Sequence, residues 1–227
     1  MREREFLTKL VKVLGQRFSI DLNIDLSQGD SKEIFKWFLA SILFGARISE
    51  TIAVNTYREF EKEGALTPDS ILKKRWEGLV RILDNGGYVR YDFKTAAKLL
   101  GVMKDLKKEY TGNLNKLHQI SKDPRDLETR IKNLGKGIGD VTANIFLREL
   151  RGIWKNADPF PSPLVIEGAK SISIIPQQLK SKEKILGKLK SIWQRNKIKG
   201  KDFVNFETSL LRLAKDYYRK GKSFALD

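Results

Sequence analysis

The chain has 227 residues, 41% of them hydrophobic, enough for one large domain or two small ones with a buried core and too many for wholesale disorder. It has no cysteine and a single histidine. That excludes disulfides, thiolate nucleophiles, cysteine-bound zinc and iron–sulfur clusters, and leaves a histidine triad or metal site without material. Lys and Arg number 44 against 28 Asp and Glu, a net charge of +16, which points to a polyanion: nucleic acid ahead of an anionic membrane surface. The excess is one-sided, unlike the joint Lys and Glu enrichment of a heat-adapted surface.

In chain order, the N-terminal MREREFLTKLVKVLG is amphipathic and carries Glu3 and Glu5, so it reads as a helix and not as a signal peptide. No apolar run approaches the roughly 18 residues of a membrane span, and a cytoplasmic protein without a membrane partner is expected. Phe18 to Leu26 (FSIDLNIDL) alternates apolar and polar residues like a strand, but has no partner run nearby and fits equally an extended segment crossing helices. Asp30 with Glu33 then opens a helix whose apolar stripe is Phe35, Phe38, Leu39 and Ile42. Thr67 and Pro68 start the next, with Leu72, Trp76, Leu79, Val80 and Leu83 on one face. Behind Asp92 come Ala96, Leu99, Leu100, Met103 and Leu106, and His118 in NKLHQISK is expected as an exposed helix residue. Further stripes are Leu127, Ile131 and Leu134; Ala143, Phe146, Leu147 and Leu150; Ile185, Leu189 and Ile192; and Leu210, Leu211 and Ala214. Breaks fall at 84–87, at 111–112, and at the proline-rich 157–163, where Ser162 and Pro163 predict a fresh helix start. Residues 180–201 read as an amphipathic basic helix. The fold class expected is all-α.

The densest glycine cluster, Gly135-Lys-Gly-Ile-Gly139, joins a helix near Arg125–Leu134 to one near Asp140–Arg151. A dinucleotide fingerprint fails there, because the third glycine would fall at Asp140 or Thr142 and a helix precedes it instead of a strand. Gly221-Lys222-Ser223 ends like a Walker loop, but the glycine needed at 216 is Asp216. What remains is a hairpin whose glycines let a phosphate approach the backbone, followed by a helix N-terminus with free N–H groups. Such a hairpin can grip a DNA backbone without reading sequence; a plain interhelical turn is the alternative.

Gly137-Ile-Gly-Asp-Val-Thr-Ala-Asn144 resembles the helix-hairpin-helix of the DNA glycosylase superfamily that includes endonuclease III and the adenine, alkyl-base and 8-oxoguanine glycosylases. Phe35 to Ser49 looks like that family's early barrel helix and following loop, and Tyr91-Asp-Phe-Lys-Thr-Ala96 like its tyrosine–lysine–alanine element; the likeness spans about residues 30–165. The resemblance implies a six-helix barrel over 28–152 and a second helical domain from 1–27 and 153–227, with the base pocket in the cleft between them. It implies DNA contacts by Gly135, Lys136, Gly137, Ile138, Gly139, Val141 and Thr142, and by Arg47 in the loop that fills the hole left by an extruded nucleotide. It also implies a catalytic aspartate, at Asp158, 21 positions past Gly137 and alone among the acidic residues between Glu149 and Glu167. An ionised carboxylate there would stabilise the positive charge that builds on the sugar, or activate water. Trp37, Tyr88, Tyr91 and Trp154 are aromatic residues able to stack on a flipped base, and also able to serve as core. The partner expected is duplex DNA with a lesion or mismatch, met by a monomer at the nucleoid. No cofactor is implied beyond room for a monovalent cation at the hairpin carbonyls.

The chain departs from the family pattern in four ways, one of them Lys136, which stands in the hairpin where the family usually has proline. Strand-cutting members carry a Schiff-base lysine where this chain has Val141, which argues for base removal alone. Pro159-Phe160 follows Asp158 where the family has other residues, and the cysteine-bound cluster of many relatives is absent, leaving the basic 180–201 segment free to contact DNA in its place. A non-catalytic helix-hairpin-helix DNA-binding protein is the second reading, and a basic membrane-surface or RNA-binding helical protein the third.

Overall fold

The structure is a computed structural model that describes residues 2–224, and no strand occurs among them, only an isolated bridge between Arg151 and Trp154. The helices are α1 (Arg2–Leu14), α2 (Phe18–Asp21), α3 (Ser31–Phe44), α4 (Glu50–Lys62), α5 (Pro68–Asn85), α6 (Asp92–Tyr110), α7 (Leu114–Gln119), α8 (Pro124–Asn133), α9 (Asp140–Glu149), α10 (Pro163–Ser171), α11 (Lys182–Asn196) and α12 (Phe203–Arg212). None of the described helices is long and apolar enough to cross a membrane.

Most of these helices begin at a side-chain cap that satisfies first-turn N–H groups. Asp30 accepts from Lys32 and Glu33, Ser49 from Ile52, Asp123 from Arg125 and Asp126, and Ser162 from Val165; Thr67 and Ser70 cap each other reciprocally. The alternating run 18–26 is split. Phe18–Asp21 is one helical turn, Asn23 takes a left-handed φ of 58°, and only then do Leu22, Ile24 and Leu26 bury alternately with Asn23 and Asp25 exposed. No ladder is present for a strand to join, so local helix won at the start of the run.

The chain forms two compact units, Met1–Asp21 with Phe160–Asp227, and Leu22–Pro159. The expected bounds at 27/28 and 152/153 sit inside the second unit, for physical reasons. At its start Arg58 donates to the Leu22 carbonyl at 3.3 Å. At its end Trp154 donates to Asn115 at 2.8 Å and Asn156 to the Ser121 carbonyl at 2.8 Å, so 153–159 belong with the helices before them.

In the Leu22–Pro159 unit α3 is buried on almost every side, and successive helices pack on one another until α9 returns to α3, a closed circuit. Trp37 donates its indole N–H to the Phe146 carbonyl at 3.1 Å, and Phe38 meets Phe146 edge-on at 5.1 Å. Each such fully buried side chain contributes about 1.5–3 kcal/mol. In the other unit α12 packs on α1, α10 and α11. Gly168 of α10 faces the Leu210 backbone so closely that a Cβ would overlap its carbonyl. Arg212 donates to the Leu14 carbonyl at 3.1 Å, pairs with Asp21 at 2.6 Å and lies over Phe18 at 4.3 Å. On α11 the apolar face of Ile185, Leu186, Leu189, Ile192 and Trp193 is buried, while Lys182, Lys184 and Lys188 are exposed.

Candidate functional site

The glycine hairpin lies between α8 and α9. Gly135 accepts from Ile138 at 3.1 Å, which closes the turn, and Gly139 caps α9, its carbonyl accepting from Ala143 at 3.0 Å. Gly139 has no side chain, so the first N–H groups of α9 begin without the capping oxygen that most of the other helices possess.

The three glycines exist for three different reasons. A Cβ on Gly135 would sit 2.7 Å from Cγ2 of Val102 on α6. Gly137 holds φ at +96°, and a Cβ there would sit 2.9 Å from Cε of Lys98, also on α6. Gly139 answers to neither cause. Its φ of −103° and ψ of −175° are open to any residue, and nothing lies within 4 Å of a Cβ. Gly135 is therefore demanded by α6, Gly137 by its own backbone conformation, since the Lys98 stem can move aside, and Gly139 has no internal demand.

Around this turn Lys136, Gly137, Gly139 and Val141 are exposed, Val141 by 62%, and Ile138 is buried. Asp140 is exposed and pairs with Lys132 at 3.0 Å. Thr142 requires correction as a DNA contact: its side chain is buried, and its hydroxyl fills the space where Gly45, at the end of α3, would carry a Cβ. That contact sets the loop 45–49 beside the first turn of α9, with Arg47 exposed two residues beyond Gly45. The structure thus brings the hairpin, α6 and the Arg47 loop together.

Asp158 sits at the end of the same unit in a clasp. Arg151, almost fully buried, pairs with one oxygen of the Asp158 carboxylate and also donates to the Pro159 carbonyl, while Arg125 donates to the Asp158 carbonyl. A third of the Asp158 side chain stays open to solvent. The carboxylate is thus partly exposed, and part of its charge is already answered by a guanidinium.

Of the aromatic candidates, Trp37, Tyr88 and Trp154 are core and offer no free face. Tyr88 directs its hydroxyl at the Leu43 carbonyl, 3.4 Å away. Trp154 meets Phe146 edge-on at 5.5 Å. His118 is not the exposed residue expected: it stacks on Trp154 at 4.8 Å with rings 2° from parallel, and its burial lowers its pKa from the usual 6.5. Tyr91 is half-buried, with the Arg90 guanidinium 5.6 Å from its ring centre. Sequence reasoning missed Trp76 and Phe93, an exposed pair 5.1 Å apart, because Trp76 fell on an apolar stripe.

No protein-family model matches this chain, and no curated protein does.

Proposed function

We propose that this chain is a DNA glycosylase that hydrolyses the N-glycosidic bond of a damaged or mismatched base in duplex DNA and leaves the strand intact. Gly139 carries the reading. A glycine with ordinary φ and empty surroundings has no use within the fold, and it stands where an approaching phosphate would need a bare backbone and unanswered N–H groups. The net charge of +16 and the exposed Lys136 and Arg47 beside the turn support the same partner. The closed circuit of helices in the Leu22–Pro159 unit supports the barrel of the resemblance, although the unit holds seven described helices, the short α7 included.

In this reading the target base leaves the stack before cleavage. Asp158, a third of its side chain exposed, then faces the sugar with its carboxylate as positive charge develops there, and Arg151 fixes the carboxylate's direction. Val141 supplies no amine for a Schiff base, so borohydride should trap no covalent complex. A second reading, a DNA-binding protein without catalysis, draws on the same clasp, since pairing with Arg151 gives Asp158 a purely structural use.

Base release from a panel of lesion-bearing duplexes tests the choice. Wild type should free a base from at least one of them, and Asp158→Asn should bind that duplex yet release nothing. Release at the wild-type rate by Asp158→Asn removes the catalytic assignment, and a wild type silent on the whole panel leaves the binding reading.

A further inference from the structure

Lys98 lays its stem along the hairpin, with Cγ, Cδ and Cε at 3.7, 3.6 and 2.9 Å from the position of a Cβ on Gly137. The side chain is half-buried, yet among the described residues its ammonium has no hydrogen bond or ion pair with any other residue. Burial without a counter-charge holds the amine below the usual lysine range. Lys94, one turn earlier on the same face of α6, is exposed and equally without a partner among the described residues. Like charges four apart on a helix repel, so the pair works against the helix that carries it. The chain has 28 acidic residues and sets none of those described against this pair.

We propose that Lys98 and Lys94 form a second row of phosphate contacts, continuing the hairpin's grip along one DNA strand. Their separation of about 6 Å along the helix axis sets two ammonium groups in line with the hairpin. The row rests on the reading of the hairpin as a backbone grip and extends it: α6 both closes on the turn at Gly135 and carries the lysine whose stem lies over Gly137. It also explains why a long basic residue and not an aliphatic one covers Gly137, since it offers an apolar stem to the turn and a cation at its rim.

Affinity for an undamaged duplex across a salt series decides the matter, because each phosphate contact contributes about 0.9 to the slope of log K against log salt. Lys98→Met keeps the stem over Gly137 and should melt like wild type, but its slope should be shallower by about 0.9, with affinity lost equally on every sequence. Lys98→Arg should keep the full slope, and exposed Lys94→Gln, safe for folding, should lose the same increment as Lys98→Met. Wild-type slopes in both Lys98→Met and Lys94→Gln would overturn the row. A borohydride adduct that disappears in Lys98→Met would also overturn it, by giving the amine a covalent role. Gly139→Ser separates the two levels: if it alone weakens binding, the hairpin reading stands without the row, and if all variants bind as wild type, both fall.

Discussion

Thr142 and Gly45 compete for one space. Gly45 has an ordinary helical φ of −72°, so alanine there meets no backbone strain; its Cβ meets the Thr142 hydroxyl first, with the Thr142 Cβ and the Ser41 carbonyl oxygen each 3.1 Å away. Gly45→Ala should therefore lower stability by about 1–3 kcal/mol through overpacking. In urea denaturation the double variant Gly45→Ala/Thr142→Ala should recover part of that loss; strict additivity would show that the two side chains are not in conflict. Gly139 offers the opposite experiment. Serine at that position gives α9 the capping oxygen it lacks and should raise stability by a few tenths of a kcal/mol, while its side chain blocks the approach of a phosphate. A variant that is more stable and binds DNA less well is hard to explain by a damaged fold. His118 sets a pH dependence. Its folded pKa lies below the unfolded value of 6.5, so neutral His118 contributes stability in full above pH 6.5 and that contribution is lost as pH falls through the folded value. Melting temperature should fall on acidification through that window more in wild type than in His118→Phe, which keeps the stack on Trp154 without the titration.

At the scale of elements, the helix starts were legible because their caps are local chemistry: Asp30, Thr67 and Ser162 hold the N–H groups of their own first turns. Trp76 was not, and α5 explains why. Arg75 interrupts that helix at φ 55° and ψ −176°, a region that is nearly glycine's alone. The interruption rephases the helix, so that Ile71, Leu79, Ile82 and Leu83 are buried while Trp76, on the same apolar stripe in sequence, turns outward against Phe93. A continuous 3.6-residue period cannot register such a break. Arg75→Gly should relieve the strain and raise stability by about 1 kcal/mol in urea denaturation. A loss of similar size would mean that the arginine is held by contacts that outweigh its backbone. The hairpin was visible as a glycine cluster, but the reason for each glycine was not, because Val102 and Lys98 lie more than thirty residues earlier on α6. Asp158 was likewise visible as an isolated carboxylate, while its guanidinium partner became evident only once the loop closed.

Over the whole molecule, a net charge of +16 on a chain with few internal cation pairs near the hairpin should make duplex binding strongly salt-dependent whatever the sequence. The same charge makes the division of the chain consequential. The unit holding α1 is completed by α11 and α12, which are separated from it in sequence by the whole of Leu22–Pro159. During synthesis α1 therefore emerges well before α11 and α12 and must wait for them, with Leu7, Leu10 and Val11 lacking the surfaces that will cover them. At about 5–20 residues per second, the stretch from Phe160 to Arg212 adds roughly 3–10 s to that wait. A ribosome stalled within α11 or α12 would display this apolar face to chaperones and proteases, which makes α1 the segment by which a cell would sense that α12 has not yet been made.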